Sequence, residues 1–459
     1  MTRVAARFVG CKVSQADGEE ALAGLAAAGL QPVTAQEAAD VVVVHTCCVT
    51  AEAERKSRRL VRRAASAGTR VVVAGCAAAL RPEQFEGEGV TVAARPDWAA
   101  MAERLARGAA AGGSAGREGV LATSGAIGDA ADDAALKRTP AAPARASAGW
   151  AAATETVDGP AVAADEAPRA TPGARTRLVL KVQDGCAGIC AYCVVRLVRG
   201  APRSVLLEET LAAACAGLAC GCGEVVLSGI DLGAWRDGDA RLPGLLAAIA
   251  GLDGLRRVRL SSVEPRHVDA PLVDLLGHPR VARHLHVPLQ SADDGVLRAM
   301  RRPYTFAGYL SAVEPLQRVP GGAMLSTDVI VGYPTEDEAA FARTLEALES
   351  GLFGRAHVFA FSARPGTAAA ELPPLPAAVV KERMGRALAA AEAAALAARR
   401  AAVGRVAEVL VEERRDGLWR GYSSEYIRYA LRGTARRGEL VRVVADEVTG
   451  AGVSGRVEE

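Results

Sequence analysis

The sequence predicts an α/β protein in three parts. These are an N-terminal doubly wound parallel-sheet domain over residues 1–106, a central partial (β/α)6 barrel over 176–400 and a small C-terminal antiparallel β-domain over 401–459. Three observations lead there. Short apolar runs alternate with helix-length stretches through the first part. The same alternation returns at Arg177 and repeats without reversal. Beyond residue 401, apolar and polar residues alternate one by one between glycines.

In the first part, strands are expected at 3–9, 41–45, 70–74 and 90–93, and helices at 15–28 and 51–65. The run Val41-Val42-Val43-Val44 has no polar alternation, which marks a strand buried on both faces and hence a parallel sheet. From 107 to 175 the pattern stops. The segment is rich in Ala, Gly, Pro, Ser and Thr, with Trp150 as its one aromatic residue, and has too little apolar surface to offset the entropy of ordering. A flexible linker is expected there. Six strand candidates follow, at 177–182, 224–227, 257–260, 284–288, 324–331 and 356–361, and the alanine-rich run 377–401 closes the set as a helix. In the last part, strands are expected at 405–413, 418–422, 427–431 and 440–446.

Composition narrows the function. Half of the 459 residues are apolar but only 4% are aromatic, which suits α/β layers better than a β-sandwich. The formal net charge is +2, so any nucleic-acid contact must come from local patches. No run of about 18 uncharged apolar residues is present, which excludes a transmembrane helix. The first ten residues read as a strand and not as a signal peptide, so a cytoplasmic protein with no membrane association is expected. In that reducing compartment the ten cysteines are not a disulfide framework.

The sharpest signal is Cys186, Cys190 and Cys193, a Cys-x3-Cys-x2-Cys loop directly after the first barrel strand. Three thiolates on one loop can hold three irons of a 4Fe-4S cluster and leave the fourth open to a substrate group. A structural zinc site would need a fourth ligand, and none lies in the loop. A second set is Cys11, Cys47 and Cys76, each following a different strand of the first domain. Ligands of an open α/β sheet bind at the carboxyl ends of its strands, so these three are expected to meet at one edge as a second such cluster. Cys48 is a neighbour of Cys47. Cys215 and Cys220 read as small buried residues on or beside a helix, and Cys220 and Cys222 are too close in sequence to form a ligand pair.

Together the two sets resemble the radical-SAM methylthiotransferase family, and within it the subgroup acting on threonylcarbamoyladenosine in tRNA. Gly10-Cys11-Lys12-Val13-Ser14-Gln15, Thr46-Cys47-Cys48-Val49-Thr50 and Gly75-Cys76-Ala77 are similar to its three auxiliary cysteine motifs. Arg199-Gly200-Ala201-Pro202-Arg203-Ser204 is similar to its Arg-Gly-x-x-Arg-Ser segment. The resemblance covers nearly the whole chain except the linker. It implies two 4Fe-4S clusters, with S-adenosylmethionine on the open iron of the Cys186, Cys190 and Cys193 cluster. Tyr192, Ser228, Gly229, Asp231, Ser262, Glu264, Gln290 and Asp328 are the positions it implies for cofactor binding. It also implies that the last domain is a TRAM-like RNA-binding module, with Arg405, Arg414, Arg420 and Arg428 meeting phosphate and Tyr422 offering a stacking face, helped by Arg415 and Tyr426. His45 and Ser14 stand where the family commonly has Asn.

The implied reaction replaces the C2 hydrogen of the modified adenosine beside the anticodon by a methylthio group. That hydrogen is too weakly acidic for a side-chain base, so a radical route is expected. The expected partners are tRNA and a flavodoxin- or ferredoxin-type reductant, and the protein is expected to act as a monomer. The alternatives within the class are isopentenyladenosine in tRNA or an aspartate of a ribosomal protein as substrate. Outside it stand a non-catalytic zinc- and RNA-binding protein and a plain electron carrier.

Overall fold

A computed structural model of the protein describes residues 1–34, 38–110, 154–155, 176–450 and 452–458. The chain forms two compact units. The first gathers residues up to 174 together with Val194–Gly200; the second holds Arg175–Cys193 and Ala201–Glu459.

The first unit is a parallel sheet in the order Gln31–Pro32, Arg3–Phe8, Val41–Thr46, Arg70–Gly75, Val90–Val92. Side chains alternate across it. Val4, Ala6, Val41, Val43 and Val72 pack on one face with the helices Lys12–Ala27 and Trp98–Ala110. Ala5, Val42, Val44, Val71 and Val73 pack on the other with Ala51–Ser66, Cys76–Leu80 and the short helix Val195–Arg199. Burial on both faces is why these strands read as continuous valine runs. The strand order reverses between Arg3–Phe8 and Val41–Thr46, and that switch point is where an open α/β sheet leaves a crevice for ligands. The expected linker falls largely outside the described residues. Where it is described, it differs from expectation: the helix Trp98–Ala110 runs past 107, and Thr154–Glu155 pair in parallel with Ala6 and Arg7. The small strand Gln31–Pro32 was not expected either.

In the second unit, six parallel strands follow in sequence order among the described residues: Arg177–Asp184, Glu224–Gly229, Arg257–Leu260, His284–His286, Met324–Val331 and Arg355–Ala360. The third and fourth touch only through isolated bridges such as Ser262 to His286. Leu178, Val225, Val258, Leu285 and Val329 turn outward into the main core under the helices. Alternation turns Arg177, Glu224, Arg257, Arg259, His286 and Asp328 inward. Two small features depart from an all-parallel pattern: Arg203–Ser204 runs antiparallel to the first strand, and Arg236–Asp237 pairs with Ala240–Arg241 as a hairpin.

The last domain is a closed barrel of Val406–Arg415, Leu418–Ser423, Arg428–Arg432, Leu440–Thr449 and Gly452–Val457. It is not wholly antiparallel. The fifth strand was not anticipated, and it closes the barrel by pairing in parallel with Arg428–Arg432. This domain seals the amino ends of the six strands. Arg257 Nε meets Glu224 at 2.5 Å and its Nη2 donates to the Tyr422 carbonyl at 2.9 Å; Arg177 pairs with Glu412 at 2.5 Å; Arg259 donates to the Ser423 and Ser424 carbonyls at 2.9 and 3.1 Å. Glu224 is buried among three arginines, which hold its carboxyl far below the ordinary range although burial alone would raise it. The carboxyl end of the first strand carries the loop with Cys186, Cys190 and Cys193, the end at which such folds bind ligands.

Candidate active site

The first cysteine set follows from strand register. Thr46 lies opposite Gly75 in the parallel pair, which brings the next residues, Cys47 and Cys76, side by side. Val9 N donates to the His45 carbonyl at 2.9 Å, and Cys11 follows as the residue that starts the helix Lys12–Ala27. Thr46 Oγ1 donates to the Ala74 carbonyl at 2.7 Å and accepts from Ala78 N at 3.0 Å, tying the two strand ends together. Gly10 has φ +123°, and a Cβ there would lie 2.6 Å from Cys47 Cβ and 2.8 Å from its Sγ. Cys47 and Cys76 are buried and Cys11 is exposed.

The charge environment of this set is uneven. Burial, reinforced by Cys11 and Cys76, pushes the Cys47 thiol up to about 12. Cys76 is lowered to about 7 by its hydrogen bond with Cys48 and by the Arg199 guanidinium. Three cysteines at neighbouring strand ends fit the ligand set of an iron–sulfur cluster with one iron open. The expected meeting of Cys11, Cys47 and Cys76 is thus present in the geometry. Cys48 is buried beneath them in the core. Sequence reasoning missed Arg199 as part of this set. Its Nε donates to Cys76 Sγ at 3.1 Å and its Nη2 to Asp17 Oδ2 at 2.7 Å.

The second set sits on the loop after Arg177–Asp184. Gly185 takes φ +72°, and Gln183 Nε2 donates to its carbonyl at 2.8 Å. Gly188 N donates to Cys186 Sγ at 3.2 Å, and Cys193 N donates to the Cys190 carbonyl at 3.1 Å. A Cβ on Gly188 would be 3.2 Å from Cys186 Sγ and 3.8 Å from Cys190 Sγ, so the loop wraps both sulfurs around this glycine. All three cysteines are half-buried. Arg302, also missed, donates from Nη1 to Cys190 Sγ at 3.3 Å.

The strand-end residues divide. Asp231 Oδ2 is 3.9 Å from Cys186 Sγ and 2.5 Å from Arg266, and its backbone N donates to Gln183 Oε1 at 2.7 Å. Ser228 is buried, and its hydroxyl has no partner among the described residues. Ser261 is half-buried, and its hydroxyl oxygen is likewise buried with no partner among the described residues; Ser262 contributes only the backbone bridge to His286. Two orphaned buried hydroxyls at strand ends beside a three-cysteine loop fit a polar cofactor such as S-adenosylmethionine. Gly229 ends its strand where a Cβ would come 3.0 Å from the Gln183 side chain. Glu264 is tied to Arg302 by an ion pair, which gives it a role of holding that arginine. Gln290 holds a left-handed φ of +70°, and its N donates to the Asp328 carbonyl at 2.8 Å. Strain of that kind collects at ligand sites. Tyr192 packs in a small apolar cluster with Tyr333 and Met300.

Asp328 belongs to a group the sequence did not reveal. His286 Nε2 is 3.3 Å from Asp328 Oδ1, and His357 pairs with Asp328 in register. Ser326 Oγ lies 2.9 Å from His286 Nδ1 and fixes that ring. Burial pushes the Asp328 carboxyl up, but His286 and His357 more than reverse this and hold it below the usual range. The signal was present as alternate residues of the fourth to sixth strands, yet inward polar residues look the same in sequence as solvent-facing ones.

The residues expected to meet RNA stand in different surroundings. Tyr422 does not offer an open stacking face: it stacks on Tyr426 at 5.0 Å and lies under Arg177 at 4.8 Å, within the seam with the barrel. Arg428 is engaged by Glu413 at 3.1 Å and Arg420 by Asp416 at 2.8 Å. Arg405, Arg414 and Arg415 are exposed, and Arg414 lies over the Trp419 ring at 5.8 Å. Cys215 and Cys220 are also exposed, contrary to the buried reading, because they lie on the outer side and end of the helix Leu207–Ala219.

Comparison with known proteins decides the family. Residues 3–94 match a family described as uncharacterized protein family UPF0004, and residues 180–348 match the radical SAM superfamily. A tRNA-2-methylthio-N(6)-dimethylallyladenosine synthase of Novosphingobium aromaticivorans is 33% identical, covering 98% of this chain and 96% of that one. The chain belongs to the radical-SAM methylthiotransferases. It is an enzyme of that kind. A threonylcarbamoyladenosine tRNA methylthiotransferase MtaB of Thermotoga maritima is 30% identical, covering 99% of this chain and 96% of that one. Among solved structures, the radical S-adenosylmethionine methyltransferase TsrM of Kitasatospora setae aligns with a TM-score of 0.51 at 16% identity, over 80% of this chain and 74% of that one; this likeness speaks to fold alone. Among the described residues, no helix is long and apolar enough to cross a membrane.

Proposed function

We propose that this methylthiotransferase acts on tRNA, at carbon 2 of threonylcarbamoyladenosine beside the anticodon. The observation that carries the reaction class is the pair of three-cysteine sets, each at the carboxyl ends of parallel strands. When bound, a 4Fe-4S cluster with S-adenosylmethionine supplies a carbon radical able to remove an unactivated hydrogen, and the auxiliary cluster carries the sulfur.

The chain's own residues do the holding. Cys186, Cys190 and Cys193 ligate one cluster, with Arg302 donating to Cys190 and Glu264 steadying Arg302. Ser228, Ser261 and Asp231 would give the cofactor polar contacts at the strand ends, with Gln290 in its left-handed backbone at the strand end that pairs with Asp328. Cys11, Cys47 and Cys76 ligate the other cluster.

The choice of substrate within the class rests on His286, Asp328 and His357. They offer hydrogen bonds to the hydroxyl, ureido and carboxylate groups of a threonylcarbamoyl substituent. A dimethylallyl group offers this polar cluster nothing to hydrogen-bond, and sites built to hydrogen-bond a substrate group discriminate strongly. RNA contact is assigned to the exposed Arg405, Arg414 and Arg415 and to the outward Arg55, Arg59, Arg62 and Arg63 of the helix Ala51–Ser66. A flavodoxin- or ferredoxin-type reductant, action as a monomer and a cytoplasmic location complete the reading.

The test is nucleoside analysis after reaction with each modified tRNA. Methylthiolation of threonylcarbamoyladenosine tRNA supports the reading, and product only on the dimethylallyl form would overturn it. His357→Phe should lower kcat/KM on the preferred tRNA on the order of tenfold to a hundredfold, the worth of one hydrogen bond to a charged group, while leaving uncoupled SAM cleavage unchanged.

A further inference from the structure

We propose that Arg199 is a positioning residue of the auxiliary cluster, donating a charge-assisted hydrogen bond to the ligand sulfur of Cys76 and thereby raising the cluster's reduction potential. This rests on the reading of Cys11, Cys47 and Cys76 as cluster ligands.

Four observations carry it. Arg199 is 7% exposed, so its charge is not dissipated by water. Its Nε donates to Cys76 Sγ at 3.1 Å, the range of a hydrogen bond to sulfur. The rest of the guanidinium is fixed by Asp17 Oδ2 at 2.7 Å, so the fork cannot swing away. The peptide that delivers it is also locked: Val194 and Val198 pack in the core beside Cys76 and Ala77, and Arg95 Nη2 donates to the Val198 carbonyl.

The placement along the chain is informative. Val194–Gly200 leaves the second unit directly after Cys193, the last cysteine of the radical-SAM loop, and packs as part of the first unit before the chain returns at Ala201. Within the first unit, this short segment sets one buried cation against a ligand cysteine of the same unit. A buried guanidinium could balance Asp17 alone, but that pairing needs no contact with sulfur.

The electrostatics give a sign. Reduction adds negative charge to a cluster, and a positive hydrogen-bond donor on a ligand sulfur favours the more negative state. Loss of Arg199 should therefore lower the potential and make the auxiliary cluster harder to reduce.

The experiment uses the full chain, anaerobically reconstituted, in a Cys186→Ala/Cys190→Ala/Cys193→Ala background, so that any cluster signal comes from the first unit. The readouts are iron content and the potential from an EPR-monitored dithionite titration. Arg199→Gln should shift the potential down, and Arg199→Lys, which keeps a charge but loses the fork, should shift it less. Iron lost from Arg199→Gln while its circular dichroism is unchanged also supports the assignment. If Arg199→Gln fails to fold, Arg199→Lys decides by the same titration. Full iron with an unmoved potential in the folded variants overturns the proposal. Absence of iron from the parent background overturns instead the auxiliary-cluster reading on which it rests.

Discussion

The two cysteine sets solve one problem in opposite ways. Cys186, Cys190 and Cys193 lie within one loop, half-buried, wrapped around Gly188. Cys11, Cys47 and Cys76 come from three strands, two of them are buried, and their approach depends on sheet register and on Gly10. Yet each set has one sulfur touched by an arginine: Arg302 at Cys190 and Arg199 at Cys76. A reactive loop has to admit a cofactor and can be built locally. A set gathered from three strands is sheltered and is built by the fold.

The largest expected effect separates the two roles. Cys190→Ala should abolish 5′-deoxyadenosine formation, whereas Cys47→Ala should retain it and lose only the methylthio product. Equal loss of cleavage in both variants would break the comparison. Product analysis by mass spectrometry reads both outcomes.

The glycines sharpen it next. Gly10→Ala forces a Cβ to 2.8 Å from Cys47 Sγ in a left-handed backbone, so it should remove the auxiliary iron. Gly188→Ala meets sulfur at 3.2 Å or beyond and has no positive φ, so it should keep its cluster. Iron analysis of the two variants side by side tests this.

A third contrast is between the two ends of the barrel. At the sealed end, Glu224→Gln leaves Arg257, Arg259 and Arg177 without their shared carboxylate and should cost about 3–5 kcal/mol by denaturant titration. Because the folded carboxyl is held far below its unfolded value, its stabilisation is fully present above the ordinary carboxylate range and is lost as pH falls toward the folded value. The gap between wild type and Glu224→Gln should therefore narrow in acid. The smallest effect is at the exposed hairpin, where Asp416→Ala breaks the pair with Arg420 and should cost at most about 1 kcal/mol.

Much of this was legible in the sequence. The valine runs at 41–44 and 71–73 marked a sheet buried on both faces, and the Cys-x3-Cys-x2-Cys loop stood out because its ligands are contiguous. The cysteines of the first set could be placed at strand ends because strands and helices alternate. What escaped notice depends on contacts across the fold. Arg199 and Arg302 are ordinary arginines until the chain brings them to a sulfur. Ser261 and Ser262 are adjacent serines, and of the two only Ser261 has a buried hydroxyl with no partner among the described residues. Tyr422 reads as a stacking residue because composition does not show that it is covered by Arg177. The strand Gly452–Val457 was missed because its small residues Gly452, Ser454 and Gly455 mask the alternation.

The most direct test of the account is iron and acid-labile sulfide in anaerobically reconstituted protein, compared with the Cys11→Ala/Cys47→Ala/Cys76→Ala variant. The wild type should hold about eight irons and the variant about four, the count for two cubane clusters and one. About four in both would contradict it, and would leave the first-unit cysteines as structural residues of a radical-SAM enzyme that inserts no sulfur.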